Sequence, residues 1–547
     1  ILVSDFERFR LYDLDESTQH EFKLHELVQN VTLFGFIAGY QKRTYKEQDP
    51  VNIEAAQLMG KLHDKLKDIG YDGHALEVYL VRLLFCLFAD DTGIFEKGIF
   101  NEYLDLKTNK DGSDLAAQIA QLFQILNTPE DKRLKNLDES LAAFPYVNGK
   151  LFEEVLPMAH FDSAMRDILM ESCLLDWGKI SPAIFGSLFQ SVMDKQARRN
   201  LGAHYTSEKN ILKLIKPLFL DELWEQFEKA KHDRNKLKRL HHTISKLRFL
   251  DPACGCGNFL VIAYRELRLL ELEISKVLLK GQQVTSINDY FLVDVDQFYG
   301  IEYEEFPSQI AHVAMLLMDH QMNELASISS GEYIKRIPLK KSATIVHDNA
   351  LRIDWQSLIQ PYPWEKHIAR YHYILGNPPF IGKSLQNAEQ KKDMDSVFHG
   401  VKGAGVMDYV AAWYIRAAQY MQKANEKEEN DLPKTTTAFV STNSITQGEQ
   451  VGILWNELFQ SYHCKIHFAH RTFKWGNEAK GNAAVHVVII GFANFDASEK
   501  LLLEYDTLGS EPHEVRAKNI NPYLVEGRDR FLISRNKPIS HVPEMSY

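Results

Sequence analysis

Leu247-Arg248-Phe249-Leu250-Asp251-Pro252-Ala253-Cys254-Gly255-Cys256-Gly257-Asn258-Phe259-Leu260 decides the fold of this chain. The first four residues read as a strand, and a helical apolar pattern starts at Val261. Strand, glycine turn and helix, in that order, form the nucleotide-binding corner of an open α/β sheet. Gly255 and Gly257 carry no Cβ, so the backbone there can come close to a ligand. The acid and proline ahead of the glycines make this string more specific than a lone Gly-x-Gly.

A second stretch points to the chemistry. Tyr371–Leu375 reads as another strand, and Asn377-Pro378-Pro379-Phe380 follows it. Proline has no N–H to give to a ladder, so the pair ends the strand and fixes a rigid loop. Asn377 offers an amide oxygen, the Pro378 carbonyl a second acceptor, and Phe380 a stacking face. The set suits a flat ring that bears an exocyclic amine. Two acceptors on the amine hydrogens draw the nitrogen out of conjugation and make it a better nucleophile. By itself the tetrapeptide also reads as a plain proline-rich turn.

Other strand ends fit the same sheet. Phe298–Glu302 reads as the next strand, and an acid at that strand's end takes ribose hydroxyls in dinucleotide folds. Its distance from Gly257 implies an insertion, and Glu304 and Glu305 read as exposed charges. Ala343–Val346 reads as a third strand, with Asp348 just beyond it, a position that also suits a turn residue. Thr206 or Ser207 caps a helix expected from Glu208 toward Leu220. An apolar helix opens at Asp408, and Thr437–Thr442, Lys465–Phe468 and Ala483–Phe492 read as strands. Phe473-Lys474-Trp475 reads as loop next to Gly476 and Gly481, where aromatics suit base stacking; strand-edge packing is the equal alternative. The basic run Lys229–Arg248 reads as a solvated helix face or a phosphate-contacting patch.

Bulk properties exclude several classes. A chain of 547 residues calls for two to four domains. With 45% hydrophobic and 25% charged residues, neither long disorder nor a collagen-like structure is expected. No stretch of about 20 apolar residues is present, so no membrane span is expected. Cys254 and Cys256 are close, but no second pair completes a zinc set, so no metal is expected. The net charge of −11 confines any nucleic-acid face to local positive surface. Residues 50–170 are helix-rich, with apolar spacing at Leu76, Tyr79, Leu80, Leu83 and Leu84. Ahead of them, Leu2–Asp5 and Phe9–Tyr12 read as strand pieces. Glu21–Leu27 reads as a helix start with Phe22, Leu24 and Leu27 turned inward, and Glu21-x-Lys23 with Asp13 or Asp15 makes only a fragmentary nuclease pattern. The chain opens in what reads as mid-strand and is expected to be a fragment.

Asp251–Leu260 resembles motif I of S-adenosylmethionine-dependent methyltransferases, and Asn377–Phe380 resembles motif IV of their amino-methylating branch. The stretch around Tyr205 and Thr206 resembles motif X, beside the methionine end of the cofactor. Asp348 resembles the acid that binds the cofactor's adenine amine. The order of motifs resembles the gamma arrangement of DNA amino-methyltransferases. Asn rather than Ser at the head of motif IV implies adenine N6 as the target. Val3-Ser4-Asp5-Phe6, the helical spacer and Gly481–His486 look like the MmeI-like (type IIL/IIG) restriction–modification enzymes.

The resemblance implies an α/β fold: a Rossmann-like seven-stranded methyltransferase domain preceded by a mostly helical spacer. The expected layout is the tail of a nuclease-like domain (1–45), spacer (46–174), methyltransferase (175–495) and the start of a recognition domain (496–547). S-adenosyl-L-methionine would be held by Tyr205, Thr206, Asp251, Pro252, Ala253, Gly255, Gly257, Asn258, Phe259, Glu302 and Asp348. Asn377, Pro378, Pro379 and Phe380 would carry catalysis on double-stranded DNA in the bacterial cytoplasm, with Phe380 and Phe473 stacking the target base. The rivals are a protein-glutamine or RNA methyltransferase, a non-catalytic DNA-binding subunit, and a restriction endonuclease proper, which would need a nuclease acid-and-lysine set that is not found here.

Overall fold

The computed structural model describes residues 2–13, 18–27, 30, 50–147, 151–180, 208–279, 291–330, 342–361, 369–426, 432–475, 485–507 and 512–531. Tyr205 and Thr206 lie outside the described residues. A small antiparallel sheet comes first: β1 (Leu2–Ser4), β2 (Arg8–Asp13) and β3 (Thr18–Lys23). Residues 18–23 are therefore strand, not the helix start expected from Glu21. The register explains why: Arg10 faces Glu21 across the ladder and its Nη2 sits 2.7 Å from the carboxylate, while Phe9 stacks on Phe22. Phe22 is buried, but Leu24 is exposed rather than turned inward.

Helices follow over Pro50–Asp68, Gly73–Asp91, Ile99–Lys107, Leu115–Leu126 and Ser163–Cys173. The Gly73–Asp91 helix is buried almost all round, as a central helix must be. This spacer shares one apolar core with the large sheet domain. His74 lies between Glu154 and Glu305, each 2.8 Å away, and His320 hydrogen-bonds the Thr92 carbonyl at 2.7 Å.

The large sheet has nine strands among the described residues. They are β4 (Phe249–Asp251), β5 (Phe298–Glu302), β6 (Thr344–His347), β7 (Tyr373–Gly376), β8 (Thr436–Thr442), β9 (Lys465–Trp475), β10 (Val485–Ala493), β11 (Lys500–Glu504) and β12 (His513–Ala517). Their order is β12-β11-β9-β10-β8-β7-β4-β5-β6. β6, β5, β4, β7 and β8 are mutually parallel, and β10 enters antiparallel between β8 and β9. These make the expected seven strands. β11 and β12 extend the sheet, with β11 parallel to β9. The boundary expected at residue 496 thus falls inside this sheet.

Both faces of the sheet are covered. Phe249 stacks on Phe298 at 4.7 Å and on Tyr373 at 5.5 Å, and this face packs under helices Asn258–Leu279 and Glu305–Ser330. The next residues along, Leu250, Tyr299 and Ile374, face the other core, under helices Ala411–Ala424 and Gly448–Gln460. A parallel sheet buried on both sides needs apolar residues at consecutive positions, which is why these strands do not alternate.

The basic run resolves into helices Asp221–Ala230 and Arg234–Ile244. Lys229, Lys231 and Lys236 pair with Glu225, Glu228 and Asp233 on the helix surface, and Arg248 is buried. The described geometry is that of a solvated face with local acidic partners.

Candidate active site

Register brings the carboxyl ends of the parallel strands together. Asp251 pairs with Gly300, Glu302 with His347, and Leu250 with Ile374. Asp251, Glu302, Asp348 and the Asn377 loop therefore share one edge of the sheet, where open α/β folds bind ligands.

The glycine turn is held from below. Gly257 has φ +83 and a Cβ there would lie 2.9 Å from the Ala311 Cβ, so the turn packs directly on helix Glu305–Ser330. Gly255 has φ +54 and faces open space. Its N–H donates to Glu302 Oε2 at 2.8 Å, while Glu302 Oε1 accepts from the Glu304 N–H at 3.0 Å. Burial raises the Glu302 carboxyl above its usual range, against those two hydrogen bonds. Cys254 N–H donates to the Ile301 carbonyl at 3.0 Å, which ties the turn to β5. The helix begins at Asn258, at the turn itself, rather than at Val261.

Asp251 is fully buried. Its Oδ1 accepts from the Ala253 N–H at 3.0 Å, and its Oδ2 has no hydrogen-bond partner among the described residues. Burial pushes its carboxyl up to about 8; the Ala253 bond opposes the rise and the Glu302 charge adds to it. Pro252, Ala253 and Phe259 sit within this corner; the Pro252 carbonyl accepts from the Trp413 indole at 3.0 Å. Asp348 is exposed at the end of β6, its N–H bonded to the Glu302 carbonyl and its Oδ1 to the Asn349 N–H.

The proline loop leaves β7 beside Asp251. Gly376 abuts the Asp251 carboxylate, and Asn377, Pro378, Pro379 and Phe380 follow at once. Phe380 is partly exposed and borders both cores. The loop's far end is braced: Asp408 Oδ1 accepts from the Ile381 N–H at 3.1 Å, and the Ile381 carbonyl accepts from the Tyr409 N–H at 3.0 Å.

Three residues with no role at the site in the sequence reading also shape it. Gly376 keeps the loop close to Asp251. Asp408 anchors the loop's exit. Asp393, nearly buried, accepts from Asn349 Nδ2 at 3.0 Å, Arg352 Nε at 2.7 Å and Tyr409 Oη at 3.2 Å, so it joins the β6 turn to the loop's brace. Only Gly376 carried a local signal, a glycine immediately before the Asn-Pro-Pro-Phe string.

Phe473 lies elsewhere. It stands on β9, not on a loop, and is buried. Its ring stacks on Tyr505 at 5.0 Å, with Lys213 Nζ 4.5 Å above it. β9 runs on to Trp475, so the aromatic triplet packs in the sheet, and Phe473 presents no free face to a base.

The fold and the site's edge define a Rossmann-like methyltransferase class. Within that class the chain belongs to the MmeI family. The family's "MmeI, DNA-methyltransferase domain" matches residues 227–504, its "helicase spacer domain" residues 74–152, and its "N-terminal domain" residues 1–69. The chain is similar to the solved type IIL restriction–modification enzyme MmeI in complex with DNA: 60% identity, TM-score 0.84, covering 91% of this chain and 64% of that one. It is 39% identical over 555 residues to DNA methyltransferase A of Bacillus subtilis (strain 168), covering 100% of this chain and 60% of that protein. It is also 24% identical over 301 residues to a putative type II restriction enzyme and methyltransferase of Methanocaldococcus jannaschii, covering 46% of this chain and 25% of that protein. The chain thus spans less than two thirds of the length of these relatives. No helix among the described residues is long and apolar enough to cross a membrane.

Proposed function

We propose that this chain is the methyltransferase part of a DNA restriction–modification enzyme, moving a methyl group from S-adenosyl-L-methionine to adenine N6 in double-stranded DNA in the bacterial cytoplasm. The observation that carries this reading is the contact of Gly376 with Asp251, the acid that precedes the glycine turn, which supports a site shared by that turn and the Asn377 loop.

The corner fits the cofactor. Gly255 faces open space, Asp251 Oδ2 is a buried acceptor with no partner among the described residues, and Glu302 stands at the next strand end. Asp251 and the Gly255–Asn258 turn would hold the methionyl end, Glu302 the ribose, and Asp348 the adenine amine. When bound, the cofactor supplies an electrophilic methyl group on a sulfonium.

The rest is done by the chain. An adenine amine inside a duplex is out of reach, so the base must leave the stack. Phe380 offers its ring to the flipped base. Asn377 Oδ1 and the Pro378 carbonyl accept the two amine hydrogens and turn the nitrogen lone pair toward the cofactor corner. Holding nucleophile and electrophile in line supplies most of the acceleration. The amine becomes acidic only as it is alkylated, so the loop needs no strong base.

The test is incubation with unmethylated DNA and methyl-labelled cofactor, followed by digestion and identification of the labelled nucleoside. Labelled N6-methyladenine, lost in Asn377→Ala with cofactor binding retained, is the expected result. Label in N4-methylcytosine, RNA or protein would overturn the substrate assignment.

A further inference from the structure

The segment just after the catalytic loop is built as a rigid, solvent-directed finger. Ile381 and Gln386 are buried at 8% and 7% exposure, while Lys383, Ser384 and Leu385 between them are exposed. Leu385 is 79% exposed, so its side chain is open to solvent. The turn is a single 3-10 helix, Lys383–Leu385, closed by the Leu385 N–H on the Gly382 carbonyl at 2.9 Å. Gln386 Nε2 donates to the Ile381 and Met407 carbonyls, both at 3.0 Å. Asn387 then caps the helix Ala388–Val397 in a reciprocal box with Gln390. The stretch is thus pinned at Ile381 and at Gln386, and Lys383, Ser384 and Leu385 between them face water.

We infer that Leu385 is the residue that enters the duplex when the target adenine leaves it, with Lys383 and Ser384 taking the adjoining phosphates. This rests on the function proposed above. A flipped base leaves a gap whose neighbours have lost a stacking partner, and an apolar side chain held at the gap restores contact. The finger's tip, Leu385, lies five residues beyond Phe380, so no more than about 17 Å of chain separates it from the ring proposed to stack the base. Its chemistry is right, because the two residues before Leu385 offer an ammonium and a hydroxyl, both phosphate donors. Its rigidity is right as well: a wedge that is already ordered loses little entropy on entering the helix.

The test uses the protein with duplexes that carry a site mapped in the labelling experiment above, with the target adenine paired to thymine or placed opposite an abasic site. Leu385→Ala is expected to lower kcat/KM on the paired substrate about tenfold, the order expected from the apolar atoms that truncating a leucine removes. On the abasic substrate, where the base is already loose, it should match the unaltered protein, and Leu385→Phe should restore the paired rate. Affinity for the cofactor should not change in either variant. Equal rates for Leu385→Ala and the unaltered protein on paired DNA would overturn the inference. So would an equal loss on both substrates, which would mean that Leu385 packs against another part of the protein. If the unaltered protein binds cofactor but methylates no adenine in either duplex, the proposed function fails and the inference falls with it.

Discussion

Gly376 and Asp251 leave no space between them. A Cβ on Gly376 would lie 2.9 Å from Asp251 Cγ and closer still to Oδ1, and Gly376 has φ +154. β4 and β7 pair in parallel, so the acid that ends one strand meets the glycine that ends the other. This contact fixes how near the Asn377 loop stands to the glycine turn.

Gly376→Ala should therefore damage both halves of the site at once. Overpacking a buried contact of this kind costs about 1–3 kcal/mol. We expect a lower Tm, weaker cofactor binding and loss of methyl transfer, read by thermal melts and calorimetry. Normal cofactor affinity with full activity would show that the strand ends part freely.

Asp251 should impose a pH dependence on stability. Burial raises its carboxyl to about 8, against about 3.9 in an unfolded chain. Between those values the folded protein holds a proton that the unfolded chain has released, so stability falls as pH rises through that window. The melting temperature of the unaltered protein should drop from pH 5 to pH 8 relative to Asp251→Asn, which cannot titrate. Parallel curves for the two proteins would contradict the buried, protonated acid.

Glu302 has two duties that substitution can separate. It braces the turn through the Gly255 and Glu304 N–H groups, and it stands where a ribose would bind. Glu302→Gln keeps the shape but only one of the two accepting oxygens, so it loses one of the two N–H braces; Tm should fall less than in Glu302→Ala, while cofactor affinity falls about tenfold, or about 1.4 kcal/mol. Glu302→Ala should lower both. Unchanged affinity in the Gln variant would remove Glu302 from the cofactor site.

Asp393 joins the β6 turn to the loop brace through Asn349, Arg352 and Tyr409. Asp393→Ala leaves the Asn349 and Tyr409 donors without their acceptor, which costs about 1–3 kcal/mol for a buried group left unsatisfied. A double-mutant cycle with Tyr409→Phe should give coupling, since both changes break the same hydrogen bond. Additive effects would show that the two elements hold their places independently.

Phe473 and Phe380 should fail in different ways. Phe473 is buried against Tyr505 and Lys213, so Phe473→Ala should cost about 3–5 kcal/mol of stability. Phe380 is partly exposed at the loop, so Phe380→Ala should lower kcat with little change in Tm. A Phe473 variant with normal melting but poor DNA methylation would return that ring to the base-binding face.

The local grammar of the chain was legible without any coordinates. Asp251–Leu260 and Asn377–Phe380 each depend on neighbours a few residues away: a strand that stops, a turn only glycine makes well, a proline pair that cannot pair. Such constraints are written in contiguous residues, so the α/β class and the seven strands of the methyltransferase-like part of the sheet followed from the sequence, and with them the two loops of the candidate site. What tertiary structure decided is which distant pieces touch. Phe473 stands just ahead of Gly476 and Gly481 and reads as loop, yet β10 pairs with it and draws it into the core. Glu21 reads as helical until Arg10 lines up opposite it. Residues 500–517 look like the start of something separate, but the open edge of β9 offers unpaired backbone groups, and β11 takes them. Asp393 and Gly376 gain their roles only from partners on other strands and loops. Pairing and burial couple residues far apart in the chain, and no local pattern records the partner.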